Sequence, residues 1–93
     1  MATTFAWDVH KAEANQRKHG VSFAEAVEAL CDPLLLTAAD YRHPAQELRF
    51  VSVGETRAGR VLTVGHTDEK DVVRVITART ATRSEPKTYE YEG

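Results

Sequence analysis

The stretch HGVSFAEAVEALCDP, residues 19–33, contains the end of one helix, all of a second helix and the point where the helical pattern stops. Gly20 suits the left-handed conformation that ends many helices. Ser22 and Glu25 have the spacing of a capping box, in which each side chain accepts a hydrogen bond from the other residue's backbone amide. The stretch therefore predicts two helices joined by a short connection.

The second helix carries an apolar stripe. Its members recur at positions i, i+3, i+4 and i+7, the spacing of a helix that buries one face. They are Phe23, Ala26, Val27 and Leu30. The residue before a proline is pushed out of the helical region, so Pro33 ends this helix.

The residues before this stretch predict a short strand and a first helix. FAW, residues 5–7, suits an opening strand. Asp8 is a good N-cap because its carboxylate can accept hydrogen bonds from free backbone amides. The first helix then covers residues 9–19.

Four strand patterns follow Pro33, separated by polar loops. The predicted strands are residues 34–37, 48–54, 60–67 and 72–78. The last three are joined by turns so short that their neighbours must run antiparallel. A second possible capping box at residues 82–85 predicts a short C-terminal helix. The fold class is thus α+β, with two N-terminal helices, an antiparallel sheet of about four strands and the final helix.

Length and composition indicate one small domain, residues 1–93, because the chain is too short for two cores. A single cysteine, Cys31, excludes an internal disulfide and a cysteine-based zinc site. The histidines show no close pair, so we expect no metal and no other cofactor. No apolar run is long enough to cross a bilayer, and the N-terminus lacks the pattern of a secretory signal. We expect a cytoplasmic protein.

The charge is acidic overall but basic near the end of the chain. The formal net charge is −2, and proteins that hold nucleic acid by electrostatics alone are normally basic. Residues 72–87 nevertheless carry a local charge of +3, from Arg74, Arg79, Arg83 and Lys87 against Glu85. Arg74 and Arg79 are an odd number of positions apart, so a regular strand would point them to opposite faces. A twist or bulge after Ala78 would be needed to bring them together.

Five blocks, in order, resemble the BrnT-type toxin family: FAWDVHKAEANQRKHGVSFAEA, DP, ELRFVSVG, RVLTVGHT and VVRVITARTATRSE. The resemblance runs from Phe5 to about Tyr89, and KHGVSFAEA and ITARTAT are its most specific parts. It implies a RelE-like fold and a metal-independent endoribonuclease whose RNA cleavage inhibits translation and growth. It also implies a BrnA-like antitoxin with a DNA-binding segment as partner, so that DNA is contacted only through the antitoxin. No membrane partner is expected.

A metal-free ribonuclease needs a base, an acid and cations that hold the charge developing on the scissile phosphate. Given the resemblance, we expect Arg79 and Arg83 to be catalytic and Arg74 to bind substrate. A guanidinium binds phosphate oxygens in pairs and never deprotonates. Without the resemblance, the same arginines fit exposed strand and cap residues, or an ion pair with Glu47.

Two residues are candidates for proton transfer. His66, near the end of the strand at residues 60–67, can take or give a proton near neutral pH. Glu47 can act as a general base or orient an arginine. The simpler alternatives are a boundary histidine and an ion pair between Glu47 and Arg49, whose even spacing puts them on one face.

Further candidates for substrate binding are Arg49, Lys18, His19 and Tyr89. Lys18 and His19 also suit the last turn of a helix, where cations complement the helix dipole. Tyr89 is able to stack on an unpaired base, or to pack in the core or at its rim.

Three functions are consistent with these features. The first is the metal-independent endoribonuclease toxin. The second is a weak or inactive interaction module that binds its antitoxin and takes part in operon regulation. It is favoured by the net acidity and by Thr80 and Pro86, which stand where the family tends to carry cations. The third is a non-catalytic RNA-binding domain, whose affinity would fall steeply with salt.

Overall fold

The computed structural model describes residues 3–40 and 48–81. In chain order its elements are β1 (Thr4–Ala6), α1 (Val9–His19), α2 (Phe23–Leu30), β2 (Leu36–Asp40), β3 (Arg49–Glu55), β4 (Val61–Glu69) and β5 (Val72–Thr80). The two helices occupy the predicted positions, and the later strands extend further at their C-terminal ends than predicted. The helix predicted from residues 82–85 lies outside the described residues. Neither described helix is long and apolar enough to cross a membrane.

The described strands form a mixed five-stranded sheet in the order β1-β5-β4-β3-β2. Neighbours from β2 to β5 are antiparallel, as their sequence order and short turns predict. The expectation of an antiparallel sheet of about four strands was wrong in one respect, because β1 adds a fifth strand parallel to β5. Parallel pairing needs a long connection, and both helices and three strands lie between β1 and β5.

Local hydrogen bonds explain where the helices begin and end. The Asp8 carboxylate accepts hydrogen bonds from two first-turn amides of α1, at 2.8 and 3.1 Å. Gly20, with φ of +67°, ends that helix. At the start of α2, the Glu25 amide donates to Ser22 Oγ and the Ser22 amide donates to Glu25 Oε1, each at 3.1 Å. The predicted capping box is confirmed.

The helices pack on one face of the sheet, and the core lies between these two layers. Its buried apolar residues are Val21, Phe23, Ala26, Ala29, Leu62, Val64, Val75 and Ala78. Contact between α2 and β3 is close, since a Cβ atom on Gly54 would overlap the carbonyl oxygen of Ala29. Residues that alternate with Leu62, Val64 and Ala78 therefore lie on the opposite face of the sheet.

Candidate functional site

A bulge in β5 places Arg74 and Arg79 on the same face of the sheet. The register of β5 against β4 shifts at Ile76, which is the extra residue. Arg74 lies opposite Thr67 and Arg79 lies opposite Thr63, two β4 residues an even number of positions apart. Since side chains alternate along a strand, all four lie on one face.

This face lies on the side of the sheet opposite the core, and Lys11 of α1 reaches its edge. Val64 and Ala78, which pair across β4 and β5, belong to the core beneath α2. Arg49 joins the opposite face from β3, because Val51, two positions further on, pairs with Gly65. We call the surface that carries Arg49, Thr63, Thr67, Arg74 and Arg79 the arginine face. A bulge thus brings the two arginines together, and it precedes Ala78 instead of following it.

A first cleft on the arginine face has a volume of about 110 Å³. It is lined by Asp40, Arg49, Phe50, Val51, Thr63, Gly65, His66, Ile76, Thr77 and Arg79. Arg79 also donates from Nη1 to the carbonyl oxygen of Thr80 at 3.2 Å. Two guanidinium groups beside one small cleft provide paired donors for phosphate oxygens.

A second cleft of about 510 Å³ adjoins the first, since Arg49 and Ile76 line both. Its other lining residues are Lys11, Thr67, Glu69, Lys70, Val72 and Arg74. Cations outnumber carboxylates in this lining by four to one. In the first cleft, Arg49 and Arg79 outnumber one carboxylate, Asp40. A polyanion lying along β5 would therefore meet net positive charge in both linings.

The polar residues of β4 on this face were not singled out from the sequence. Thr63, Gly65 and Thr67 alternate with more apolar or buried neighbours at positions 62, 64 and 66. That alternation was the available signal, since it marks one face of a strand. A Cβ atom on Gly65 would lie 2.7 Å from Thr77 Cγ2, so a side chain at this position would force Thr77 to shift.

His66 borders the first cleft, but its ring lies on the helix-covered face of β4. Its Nε2 is 2.7 Å from Ser52 Oγ, and its Nδ1 is 2.8 Å from Asp68 Oδ1. The residue is 3% exposed, and its ring stacks on Phe50 with centroids 5.8 Å apart. His66 and Arg74 therefore do not share a face.

The contacts among Ser52, His66 and Asp68 follow the order of a hydrolytic triad. Ser52 is fully buried, however, and its Oγ is also 2.7 Å from Thr37 Oγ1. A nucleophile needs an open side from which substrate can approach. The arrangement instead ties β2, β3 and β4 together through side-chain hydrogen bonds.

The remaining candidates divide between the helical layer and the undescribed segments. Lys18 and His19 lie in the last turn of α1 and line neither cleft. Glu47, Arg83 and Tyr89 lie outside residues 3–40 and 48–81, so their predicted roles stay predictions. Within those ranges, no three His, Cys, Asp or Glu side chains are grouped to hold a metal ion. Metal independence also stays a prediction.

Comparison with known proteins bears on both sequence and fold. Residues 7–85 match the family described as ribonuclease toxin, BrnT, of type II toxin-antitoxin system. The structure is similar to the 1.1 Å crystal structure of the Brucella abortus ribonuclease toxin BrnT, with a TM-score of 0.62 and 22% sequence identity. That match covers 88% of this chain and 100% of the Brucella chain, and at this identity it shows the fold alone. No curated protein sequence matches the chain.

The family match spans all the elements that build the two clefts, from α1 to β5. It therefore agrees with the order of blocks that first indicated this family. The chain belongs to the BrnT family of ribonuclease toxins of type II toxin–antitoxin systems.

Proposed function

We propose that this protein is a metal-independent endoribonuclease that binds the scissile phosphate of RNA in the first cleft of the arginine face. The observation that carries the proposal is the bulge at Ile76, which gathers Arg74 and Arg79 on the face of Arg49. Family membership supports RNA as the substrate. Arginine suits this site because it stays charged and offers paired donors to phosphate oxygens.

In the proposed reaction, the ribose 2′-oxygen attacks the adjacent phosphorus and the bond to the 5′-oxygen of the next nucleotide breaks. A base takes the 2′-hydroxyl proton and an acid protonates the leaving oxygen. The products are a 2′,3′-cyclic phosphate and a 5′-hydroxyl. Arg49 and Arg79 stabilise the negative charge that develops around the phosphorus. The second cleft, with Arg74, holds the phosphate of a flanking nucleotide.

The proton-transfer residues belong to the same proposal. Glu47 is the candidate base, and Arg83 adds a further charge at the phosphate. His66 supports this site indirectly, because both its ring nitrogens are already engaged on the other face. Its contribution is to hold β3 and β4 together beneath the first cleft.

The missing cation at Thr80 does not weaken the arginine face. Thr80 lies opposite Leu62, a core residue, so its side chain lies on the other side of the sheet from Arg79. A cation at position 80 would therefore not line the first cleft. This placement favours an active enzyme over the interaction module, for which the missing cation was one argument.

The toxin of a type II system has an antitoxin partner. We propose that the antitoxin covers the arginine face, and that it carries the DNA-binding segment through which the pair reaches its operon. The cations of the two clefts supply the complementary charge for an acidic segment of that partner. A bound antitoxin would then exclude RNA from the same surface.

The test is expression of the chain alone in a bacterium, followed by growth and transcript integrity. Wild type should arrest growth and leave broken transcripts, whereas Arg79→Ala and Arg49→Ala should do neither. With purified protein, each substitution should slow cleavage about a hundredfold, the usual loss for one transition-state donor.

Arg57→Ala provides the matched control, because Arg57 is exposed and lines neither cleft. This control should arrest growth like wild type. Normal growth on expression of folded wild-type protein would contradict the proposal and favour the interaction module. RNA binding that weakens with salt but leaves the RNA intact would favour a non-catalytic RNA-binding domain.

A further inference from the structure

Thr63 carries a buried hydroxyl with no hydrogen-bond partner in the described part of the chain. The residue is 5% exposed, and it lines the first cleft. Buried polar atoms are nearly always satisfied, because an unpaired one loses its bonds to water without replacement. An unpaired hydroxyl beside a cleft therefore requires an explanation.

Other threonine hydroxyls show what the fold provides when the role is structural. Thr37 Oγ1 pairs with Ser52, and Thr56 Oγ1 accepts from the Arg60 amide. Thr77 Oγ1 donates to Asn15. The Thr63 hydroxyl has no such partner in the part of the chain that the structure describes, even though β4 is the middle strand of the sheet and has a neighbouring strand on each side.

The neighbours of Thr63 point to an anion as the missing partner. Arg79 lies directly opposite it on β5, and Val53 lies opposite it on β3. Directly opposed residues have Cβ atoms about 5 Å apart. An oxyanion bound by the Arg79 guanidinium in the first cleft would thus come against the Thr63 side chain.

A hydroxyl is well suited to this position. It can rotate to donate its proton to an anion, and it does not change charge with pH. Because the oxygen itself is shielded from solvent in the unbound protein, a rotation of the Thr63 side chain about χ1 must bring it to the phosphate oxygen. No hydrogen bond among the described residues uses the Thr63 hydroxyl, so it has no evident structural purpose.

We propose that the Thr63 hydroxyl donates a hydrogen bond to a phosphate oxygen of RNA held by Arg79, which makes Thr63 a substrate-contacting residue of the first cleft. The inference rests on the proposed function and adds a neutral donor to the cationic site. It also explains why the unbound protein tolerates an unpaired hydroxyl, since substrate supplies the partner.

The test compares Thr63→Val, which removes only the hydroxyl, with Thr63→Ser, which keeps it. Thr63→Val should lower kcat/KM for a labelled RNA at least tenfold, while the Tm rises by a few degrees because an unsatisfied polar group is gone. Thr63→Ser should keep cleavage within a few-fold of wild type, while its Tm falls because a buried methyl group is lost. The more stable variant, Thr63→Val, should therefore be the slower enzyme, and the less stable variant, Thr63→Ser, should be the faster one. A merely structural threonine would not produce that pattern.

Thr63→Ala is measured beside them, so that misfolding of the valine variant does not remove the comparison. Equal cleavage by wild type, Thr63→Val and Thr63→Ala would overturn the inference and leave the proposed function standing. Cleavage that merely follows Tm across the variants would overturn it as well. Wild-type protein that neither binds nor cleaves RNA would remove the proposed function, and the inference with it.

Discussion

Asn15 of α1 hydrogen-bonds both backbone polar groups of Ala78, the residue before Arg79. Its Nδ2 donates to the Ala78 carbonyl at 2.8 Å, and its Oδ1 accepts from the Ala78 amide at 3.1 Å. β1 pairs with β5 only as far as Arg74, and within residues 3–40 and 48–81 no strand adjoins this part of β5 on that side. The Asn15 amide takes the place of a strand there. It fixes the end of β5 from which Arg79 extends.

Asn15→Ala should therefore destabilise the protein by about 3 kcal/mol, because buried backbone groups of Ala78 and the Val21 carbonyl lose their partner. Gln16→Ala, at the exposed neighbouring position, should cost less than about 0.5 kcal/mol. Urea denaturation of both variants measures the difference. Equal stabilities for the two variants would show that the Asn15 hydrogen bonds contribute nothing net.

His66→Ala tests whether this histidine supports the sheet or transfers a proton. Loss of the ring leaves Asp68 without this partner, leaves the buried Ser52 hydroxyl with Thr37 alone and opens a space beside Phe50, so the free energy of unfolding should fall by about 3 kcal/mol. Cleavage by the folded fraction should fall far less than in Arg79→Ala. Activity should be measured well below the Tm of the variant.

The opposite result would restore the catalytic role predicted for His66. A folded His66→Ala protein that loses activity as fully as Arg79→Ala would require the ring to reach substrate. A pH–rate profile that keeps both limbs in the variant would argue against that role, since removing a general base removes the acidic limb and removing a general acid removes the alkaline limb.

The helices were predictable because their signals are local. Asp8, Gly20, Ser22 and Glu25 each act on backbone groups within one turn, so neighbouring sequence was sufficient. The parallel pairing of β1 with β5 was not predictable, because a three-residue strand has no pattern that identifies a partner far along the chain.

In the candidate site, too, the residue types were readable from the sequence, whereas their placement depends on pairing between distant strands. The family resemblance and the chemistry of arginine made Arg74 and Arg79 candidates, but their shared face depends on Ile76, an extra residue visible only in the pairing with β4. The surroundings of His66 were hidden from the sequence for a related reason. Its residue type suits catalysis, whereas its register opposite Phe50 turns it toward the helices.

Lowering the pH should reduce the free energy of unfolding, because the Glu25 carboxylate becomes protonated. The Ser22 amide, and to a smaller degree Arg60, hold the pKa of the Glu25 carboxyl below its ordinary value, outweighing the opposing effect of burial. A carboxyl whose pKa is lower in the folded state stabilises the fold at neutral pH, and this contribution is lost as pH falls through the folded pKa. The stability advantage of wild type over Glu25→Gln should therefore shrink between about pH 7 and about pH 3.

Arg60→Gln separates the two causes. Arg60 Nη1 lies 2.6 Å from Glu25 Oε2, but the Ser22 hydrogen bond is the larger contribution to the lowered pKa. The stability of Arg60→Gln should still fall with pH almost as it does in wild type, whereas Glu25→Gln should lose most of that fall. If Arg60→Gln flattens the pH profile as much as Glu25→Gln does, the ion pair is the main cause instead.

Gly65 and Thr77 allow stability and activity to be separated at the first cleft. Gly65→Ala places a methyl group against Thr77 Cγ2 and should cost about 1–3 kcal/mol, the usual penalty for overpacking. Thr77→Ser removes that Cγ2 atom and keeps the hydroxyl that donates to Asn15. In a double-mutant cycle, Gly65→Ala should therefore cost much less stability when Thr77→Ser is present.

RNA cleavage should not recover with stability in the double variant. The new methyl group still lies on the arginine face, where it occupies space that the proposed function assigns to a phosphate. A double variant as stable as Thr77→Ser but slow in cleavage would locate the substrate in this cleft. Full recovery of cleavage would place the scissile phosphate elsewhere on the protein, because a narrowed first cleft would then be irrelevant to catalysis.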